Sequence, residues 1–327
     1  IYFWDFNGTV KGKISGSGQG VWSVGLDGKG IAWGNTYQNW PFLNSNPLEH
    51  YFQLTNFNVG NISGTPMRIS ARWGEWSLSH RKGGPFNRDR ATLVIEQNGT
   101  ERAAITRDAT NGFRHNTYGF TSDGIILSGG SHGHLIAYDR KGKKLAELIG
   151  HTGEVWSIAT HGHWLVSGGI DQTVKLWNLD ELDELKDTEP EIDYAYLQSV
   201  VDYWNEDYCC GWTIDKVKED FDKQGKSNEY FKLTEIHPTL SFFVDEDNEW
   251  VAWTKSGYYA ASANGDKYVG FHVNHGYDKA AEFFPASRFH ESLYRPDIIK
   301  LVWRMGSEAN AIAKAKENRK TETVDVA

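Results

Sequence analysis

Four short apolar runs, LAEL, VWSIA, WLVSG and TVKLW, follow one another between Lys144 and Asn178. Each spans four or five residues, and Gly, His, Asp and Gln fill the gaps between them. Runs of that length, bounded by turn residues, are too short for stable helices. They read as strands of a tight antiparallel meander. A unit like this cannot bury both faces alone, so what stands on either side of it decides the fold.

The pattern repeats. VWSIATHGHWLVSGG aligns with the preceding TYGFTSDGIILSGG, and that copy continues through HLIAYDRKGKKLAELI. A third copy opens at Gly20 with GVWSVGLDGKGIAWGN, where Trp22 matches Trp156. IYFWDFNGTVKGKIS and ATLVIEQNGTERAAIT match the last two strands of further copies, and less regular strands are expected near Tyr51–Leu54 and Trp76–Ser79. With Gly150-His151 ahead of its second run and Trp177-Asn178 closing its fourth, the best copy resembles the WD-repeat blade. That family usually carries Trp-Asp where Trp177-Asn178 stands. The resemblance implies that His151, Ser167, Asp171 and Trp177 form a buried hydrogen-bonded chain. The chemistry is coherent: a carboxylate in a turn fixes one imidazole tautomer, and the other ring nitrogen meets a hydroxyl that accepts an indole N–H. In the preceding copy Tyr138-Asp139 takes the Trp-Asp place, Ser128 the serine place and His132 the Asp place, so its chain is expected to be degraded.

Composition fits many short strands joined by glycine turns: 34 Gly and only 8 Pro in 327 residues, with 14% aromatics. The expected fold is all-β, a WD-repeat β-propeller of roughly six or seven blades of about 40–45 residues each, with a small partly helical insertion. Blades are expected over residues 1–182, the acidic insertion over 183–232, closing blades of the same propeller over 233–303 and a helical tail over 304–327. Strands near Ile1–Trp4 are expected to pair with the C-terminal blade. The chain starts without Met and inside a blade, which reads as a piece of something longer. Asn7-Gly8 and Asn98-Gly99 fit type I′ hairpin turns better than glycosylation sites.

Strand periodicity stops at Asn178. Residues 180–193 carry eight acids and one Lys, so this stretch holds −7 of the formal net charge of −9. A solvated linker is the expected reading, ahead of a basic partner. Ile192, Tyr196, Leu197, Val200, Val201 and Trp204 then share one helical face, and Thr213 can cap a second helix through Ile214, Val217 and Phe221 to Gly225. Cys209 and Cys210 are the only cysteines. An adjacent pair cannot staple distant segments, so burial in the helix corner and a cytoplasmic location are expected.

A second likeness spans Glu249 to Ile298. EWVAWTKSGYYAASANGDKYVGFHVNHG followed by YRPDI resembles the terminal blade of large bacterial WD-repeat proteins, some of which carry a caspase-like protease domain. It implies a parent architecture, with a caspase-like domain as a candidate partner, and no activity in this segment.

No basic stripe supports nucleic-acid binding, and no run approaches the ~18 apolar residues of a membrane span. Gly129–Gly133 spells G-x-S-x-G, but strand follows strand there, which excludes a nucleophile elbow. His132/His134 and His161/His163 have ligand-like spacing without Cys or carboxylate company, so no metal, cofactor or catalytic residue is assigned. The function expected is a non-catalytic protein- or peptide-binding scaffold, a regulatory module of a larger bacterial protein. The alternative is an enzymatic or sugar-binding site in the central channel. Blade geometry, carried over from the family, puts the interaction surface at Glu154, Trp156 and Ile170, at Asn116, Tyr118 and Ser131 in the neighbouring blade, and at Trp22.

Overall fold

The computed structural model describes residues 2–4, 10–13, 18–38, 46–62, 64–81, 91–108, 110–183, 185, 191–207, 211–224, 230–232, 234–273, 275 and 282–324. A hairpin of β1 (Tyr2–Trp4) and β2 (Val10–Lys13) comes first. The first large sheet holds β3 (Ser23–Leu26), β4 (Gly30–Gly34), β5 (His50–Gln53) and β6 (Asn58–Gly60). The second holds β7 (Arg72–Trp73), β8 (Trp76–His80), β9 (Thr92–Gln97) and β10 (Thr100–Thr106). Asn98 and Gly99 sit at φ 52° and 74° between β9 and β10, the paired left-handed geometry that Asn-Gly tolerates. Asn7-Gly8 lies outside the described residues.

The third sheet is β11 (Thr117–Phe120), β12 (Ile126–Gly129), β13 (Leu135–Tyr138) and β14 (Lys144–Leu148). The fourth begins with β15 (Val155–His161), β16 (Trp164–Gly169) and β17 (Thr173–Asn178), the four apolar runs of the sequence being β14 to β17. Helices α1 (Asp180–Asp183), α2 (Tyr194–Asp207) and α3 (Ile214–Lys223) follow. Thr213 Oγ1 accepts from the Lys216 N–H and caps α3. Leu197, Val201, Val217, Phe221 and Tyr230 give this excursion its own small core. Cys209 and Cys210 lie outside the described residues.

The chain then returns to sheets already built. β18 (Thr234–Ile236) runs parallel to β14 at the edge of the third sheet. β19 (Leu240–Val244), β20 (Trp250–Trp253) and β21 (Tyr259–Ala261) extend the fourth sheet from β17 to six strands. β22 (Gly270–Val273) and β23 (Glu282–Pro285) form a hairpin. Helices α4 (His290–Leu293), α5 (Pro296–Met305) and α6 (Glu308–Val324) end the chain. Two expectations change here. Residues 234–261 widen existing sheets where separate closing blades were expected, and residues 290–293 and 296–305 are helical. α5 docks through Ile299 and through Trp303, which stacks on Trp164 at 5.1 Å. β1 pairs with β2 alone among the described residues, not with the C-terminal strands.

The chain is thus an all-β, propeller-like assembly of mostly antiparallel sheets with a few helices. Six sheets are described, two of them hairpins. The four larger ones meet through their innermost strands. Leu26 of β3 exchanges backbone hydrogen bonds with Met67, and Phe120 of β11 donates to Ser70 just ahead of β7. Val155 of β15 donates to Gly130 beyond β12, and Val21, ahead of β3, donates to Gly169 at the end of β16. Apolar layers fill the gaps: Val24, Phe52, Val166 and Phe242 between first and fourth sheets, Leu127, Leu135, Ile158 and Trp177 between third and fourth, Leu93, Ile95, Ile126 and Ile136 between second and third.

Candidate functional site

The fourth sheet carries the polar chain that its spacing predicts. His151 Nδ1 lies 2.9 Å from Asp171 Oδ2, and His151 Nε2 lies 2.8 Å from Ser167 Oγ. Trp177 donates its indole N–H to the same hydroxyl at 2.9 Å. These contacts define one consistent arrangement: Nδ1–H donates to the carboxylate, and Nε2 accepts from Ser167. Asp171 also accepts from the Thr152 N–H, the Thr173 N–H and the Thr173 hydroxyl. Burial pushes its carboxyl upward, but His151 and the backbone N–H donor outweigh this and hold it at about 2. Burial drives the His151 imidazole down from its ordinary value, against the pull of Asp171. The imidazole is therefore neutral, and its side chain is fully covered, which fits an architectural role.

The third sheet replaces the chain where degradation was expected. His132 does not occupy an Asp place; it is exposed in a left-handed turn at φ 57° and packs edge-on to Phe113. His115 takes the histidine role: Nδ1 accepts from Ser128 Oγ at 2.7 Å, and Nε2–H donates to the Ile105 carbonyl at 3.1 Å. Arg107 does for Ser128 what the Trp177 indole does for Ser167. Its guanidinium donates to the Ser128 carbonyl and hydroxyl and to the Asn111 carbonyl. Sequence reading missed both residues. His115 had a visible signal, standing just ahead of β11 as His151 stands ahead of β15; Arg107 had none, because it reaches in from the end of the second sheet.

Burial also holds the His115 imidazole well below its ordinary value. The consequence has a definite sign. As pH falls through about 6.5 the unfolded chain binds protons at both histidines while the folded chain refuses them, so stability falls with pH. The limit is about 1.4 kcal/mol per pH unit for each histidine. Urea unfolding at pH 7.5 and pH 5.5 will show lower stability at the acid value, with a shallower dependence in His115→Gln. Equal stability at both values would contradict the neutral, buried assignment.

The expected interaction surface divides. Asn116, Ser131 and Trp156 are buried, at 2%, 5% and 6% exposure, and are withdrawn as contact residues. For Trp156 the reason is that β15 is covered on both faces: Val155, Trp156, Ser157 and Ile158 are all buried, since neighbouring sheets pack on each side. Trp156 packs against Trp22 at 4.9 Å, and the Arg114 guanidinium lies 5.9 Å from its ring. Glu154 is half-buried and engaged by Arg114 at 3.3 Å and by the Ser131 hydroxyl at 3.1 Å. Tyr118 is half-buried, its hydroxyl 3.2 Å from His80 Nδ1. Trp22 is half-buried against Tyr37 at 4.8 Å, and Tyr37 and Ile170 are 45% and 47% exposed. Gly20 and Gly153 approach Ile170 so closely that added Cβ atoms would touch it. Trp22 thus lies between exposed Tyr37 and buried Trp156, with Arg114 over the Trp156 ring and Ile170 close to Gly20.

A Cβ on Gly25 would lie 2.8 Å from Leu48, and one on Gly119 would lie 2.4 Å from Ile69, so β3 and β11 are each packed closely by the segments that lead into β5 and β7. Among the described residues no group of His, Cys, Asp and Glu is placed to hold a metal, and no helix is long and apolar enough to cross a membrane.

Comparison with known proteins agrees with the blade geometry. Residues 142–178, covering β14 to β17, match the family model described as WD domain, G-beta repeat. A WD40 repeat is therefore present. The chain is similar to WD repeat-containing protein pop2 of Schizosaccharomyces pombe, 41% identical over 59 residues, 18% of this chain and 8% of that protein. It is similar also to cell division control protein 4 of Saccharomyces cerevisiae, 39% identical over 59 residues (17% and 8%), and to zinc finger CCCH domain-containing protein 62 of Arabidopsis thaliana, 35% identical over 68 residues (19% and 16%). The chain spans only 8–16% of the length of these relatives.

Proposed function

We propose that this chain is a non-catalytic protein-interaction scaffold, and that the patch of Tyr37, Trp22 and Ile170 at the mouth of the inner strands receives an apolar segment of a partner. The observation that carries the reading is the exposure of Tyr37 and Ile170 beside a rigid, fully packed inner strand. Large side chains held on a stiff frame lose little entropy on binding. Glu154 is committed to Arg114, so the partner's contribution is apolar and aromatic rather than basic. The WD40 repeat and its similarity to a WD repeat-containing protein support a scaffold role. The finer reading makes this a regulatory module of a larger cytoplasmic bacterial protein, acting on an effector such as a caspase-like domain. It rests on the likeness of Glu249 to Ile298 and, for location, on the adjacent Cys209-Cys210 pair.

Peptides selected from a random display library on the full chain test the reading. They are expected to carry aromatic or branched apolar residues. Ile170→Asp combined with Tyr37→Ala should weaken them by about 2 kcal/mol or more without lowering the melting temperature. Selected peptides that bind this variant as tightly as the wild type would overturn it.

A further inference from the structure

The strands that widen the fourth sheet build a second concave feature, which shares no residue with the patch at the inner-strand mouth. Antiparallel register sets Lys175 opposite Ser241, Ser241 opposite Trp253, and Trp253 opposite Tyr259. Cross-strand partners share a face of a sheet, so these four side chains form one row across β17, β19, β20 and β21. The row floors a cleft of about 430 Å³, which Gly150, His237 and Phe271 also line. That is the size of a small-ligand site.

Lys175 is the telling member. It is 5% exposed. Among the described residues its ammonium has one hydrogen-bond acceptor, Ser241 Oγ at 3.3 Å, with the Trp253 ring 5.8 Å away. An ammonium carries three donors, and burying it with one long hydrogen bond leaves its charge under-compensated. The field of Asp171 eases that cost without an ion pair, and that carboxylate is already taken by His151, Thr152 and Thr173. Burial dominates and lowers the affinity of Lys175 for its proton, which an incoming anion would restore. Position 150 keeps the approach open: a Cβ there would lie 3.1 Å from Lys175 Cδ and 3.0 Å from Pro238 Cδ. No described residue lining the cleft is Asp or Glu, and Lys255 adds a second cationic side chain.

We propose that this cleft binds a small organic anion, a carboxylate carried on a flat apolar body, with the carboxylate on the Lys175 ammonium and the body against Trp253 and Phe271. A free aromatic acid and the C-terminal residue of a peptide present the same chemistry. Titration calorimetry on the full chain, with N-acetylphenylalanine and its neutral amide, tests the site. The acid is expected to bind tighter by about ten-fold or more, the value of a charge-assisted hydrogen bond. Lys175→Met is expected to erase that preference, and Ile170→Asp to leave it unchanged, which separates this site from the scaffold surface. Gly-Gly-Phe with a free or amidated terminus distinguishes the sources: binding of the free peptide assigns a peptide C-terminus, and binding of N-acetylphenylalanine alone assigns a small molecule. Equal affinity for acid and amide, or no heat from the acid at its solubility limit, overturns the proposal in the wild type without any variant. Should Lys175→Met not fold, Phe271→Ala replaces it, expected to weaken the acid several-fold; unchanged binding there overturns the proposal too.

Discussion

Trp156→Ala will destabilise the fold by about 3–5 kcal/mol and leave binding at the scaffold surface largely to Ile170 and Tyr37. Trp156 is 6% exposed and wedged against Trp22, with Arg114 over its ring. Truncation opens a cavity between the first and fourth sheets, and the surrounding strands are hydrogen-bonded too tightly to collapse into it. Chemical unfolding of the variant gives the number directly. A melting curve matching wild type, together with lost partner affinity, would instead make Trp156 a contact residue.

Asp171→Ala should cost about 2–4 kcal/mol. The substitution strands four donors at once: the His151 ring N–H, the Thr152 and Thr173 backbone N–H groups and the Thr173 hydroxyl. Asp171→Asn should cost less, because an amide oxygen still accepts from His151. The two variants also differ in acid. The wild-type carboxylate, held at about 2, contributes stability above the usual Asp value and loses it as pH falls from about 4 towards 2. Asp171→Asn has no such loss. An alanine variant that unfolds with wild-type stability would remove the hydrogen-bonded chain from any account of this blade.

What the sequence revealed follows from the range of the interactions involved. The chain of His151, Ser167, Asp171 and Trp177 was legible because all four lie within one meander, at distances set by turns. Thr213 as a helix cap and Asn98-Gly99 as a hairpin turn are local in the same sense. The depth of Trp156 was not legible. An aromatic at the start of a strand looks the same whether its outer face meets solvent or a neighbouring sheet, and here the neighbour comes from residues more than a hundred positions away. Arg107 escaped for a similar reason, since a basic residue after a strand gives no hint that it turns inward to a serine in the next sheet. The widening of the fourth sheet was hidden because β19 pairs with β17 across the whole helical excursion.

That excursion has a consequence for the order of assembly. The segment that follows it supplies β18 to the third sheet and, a few residues later, β19 to the fourth. Until it leaves the ribosome, both sheets present a bare outer edge, which other chains can template on. When it arrives, one short stretch covers the edges of β14 and β17 together. That step is a seam that draws two sheets together at once, before β20 and β21 complete the fourth.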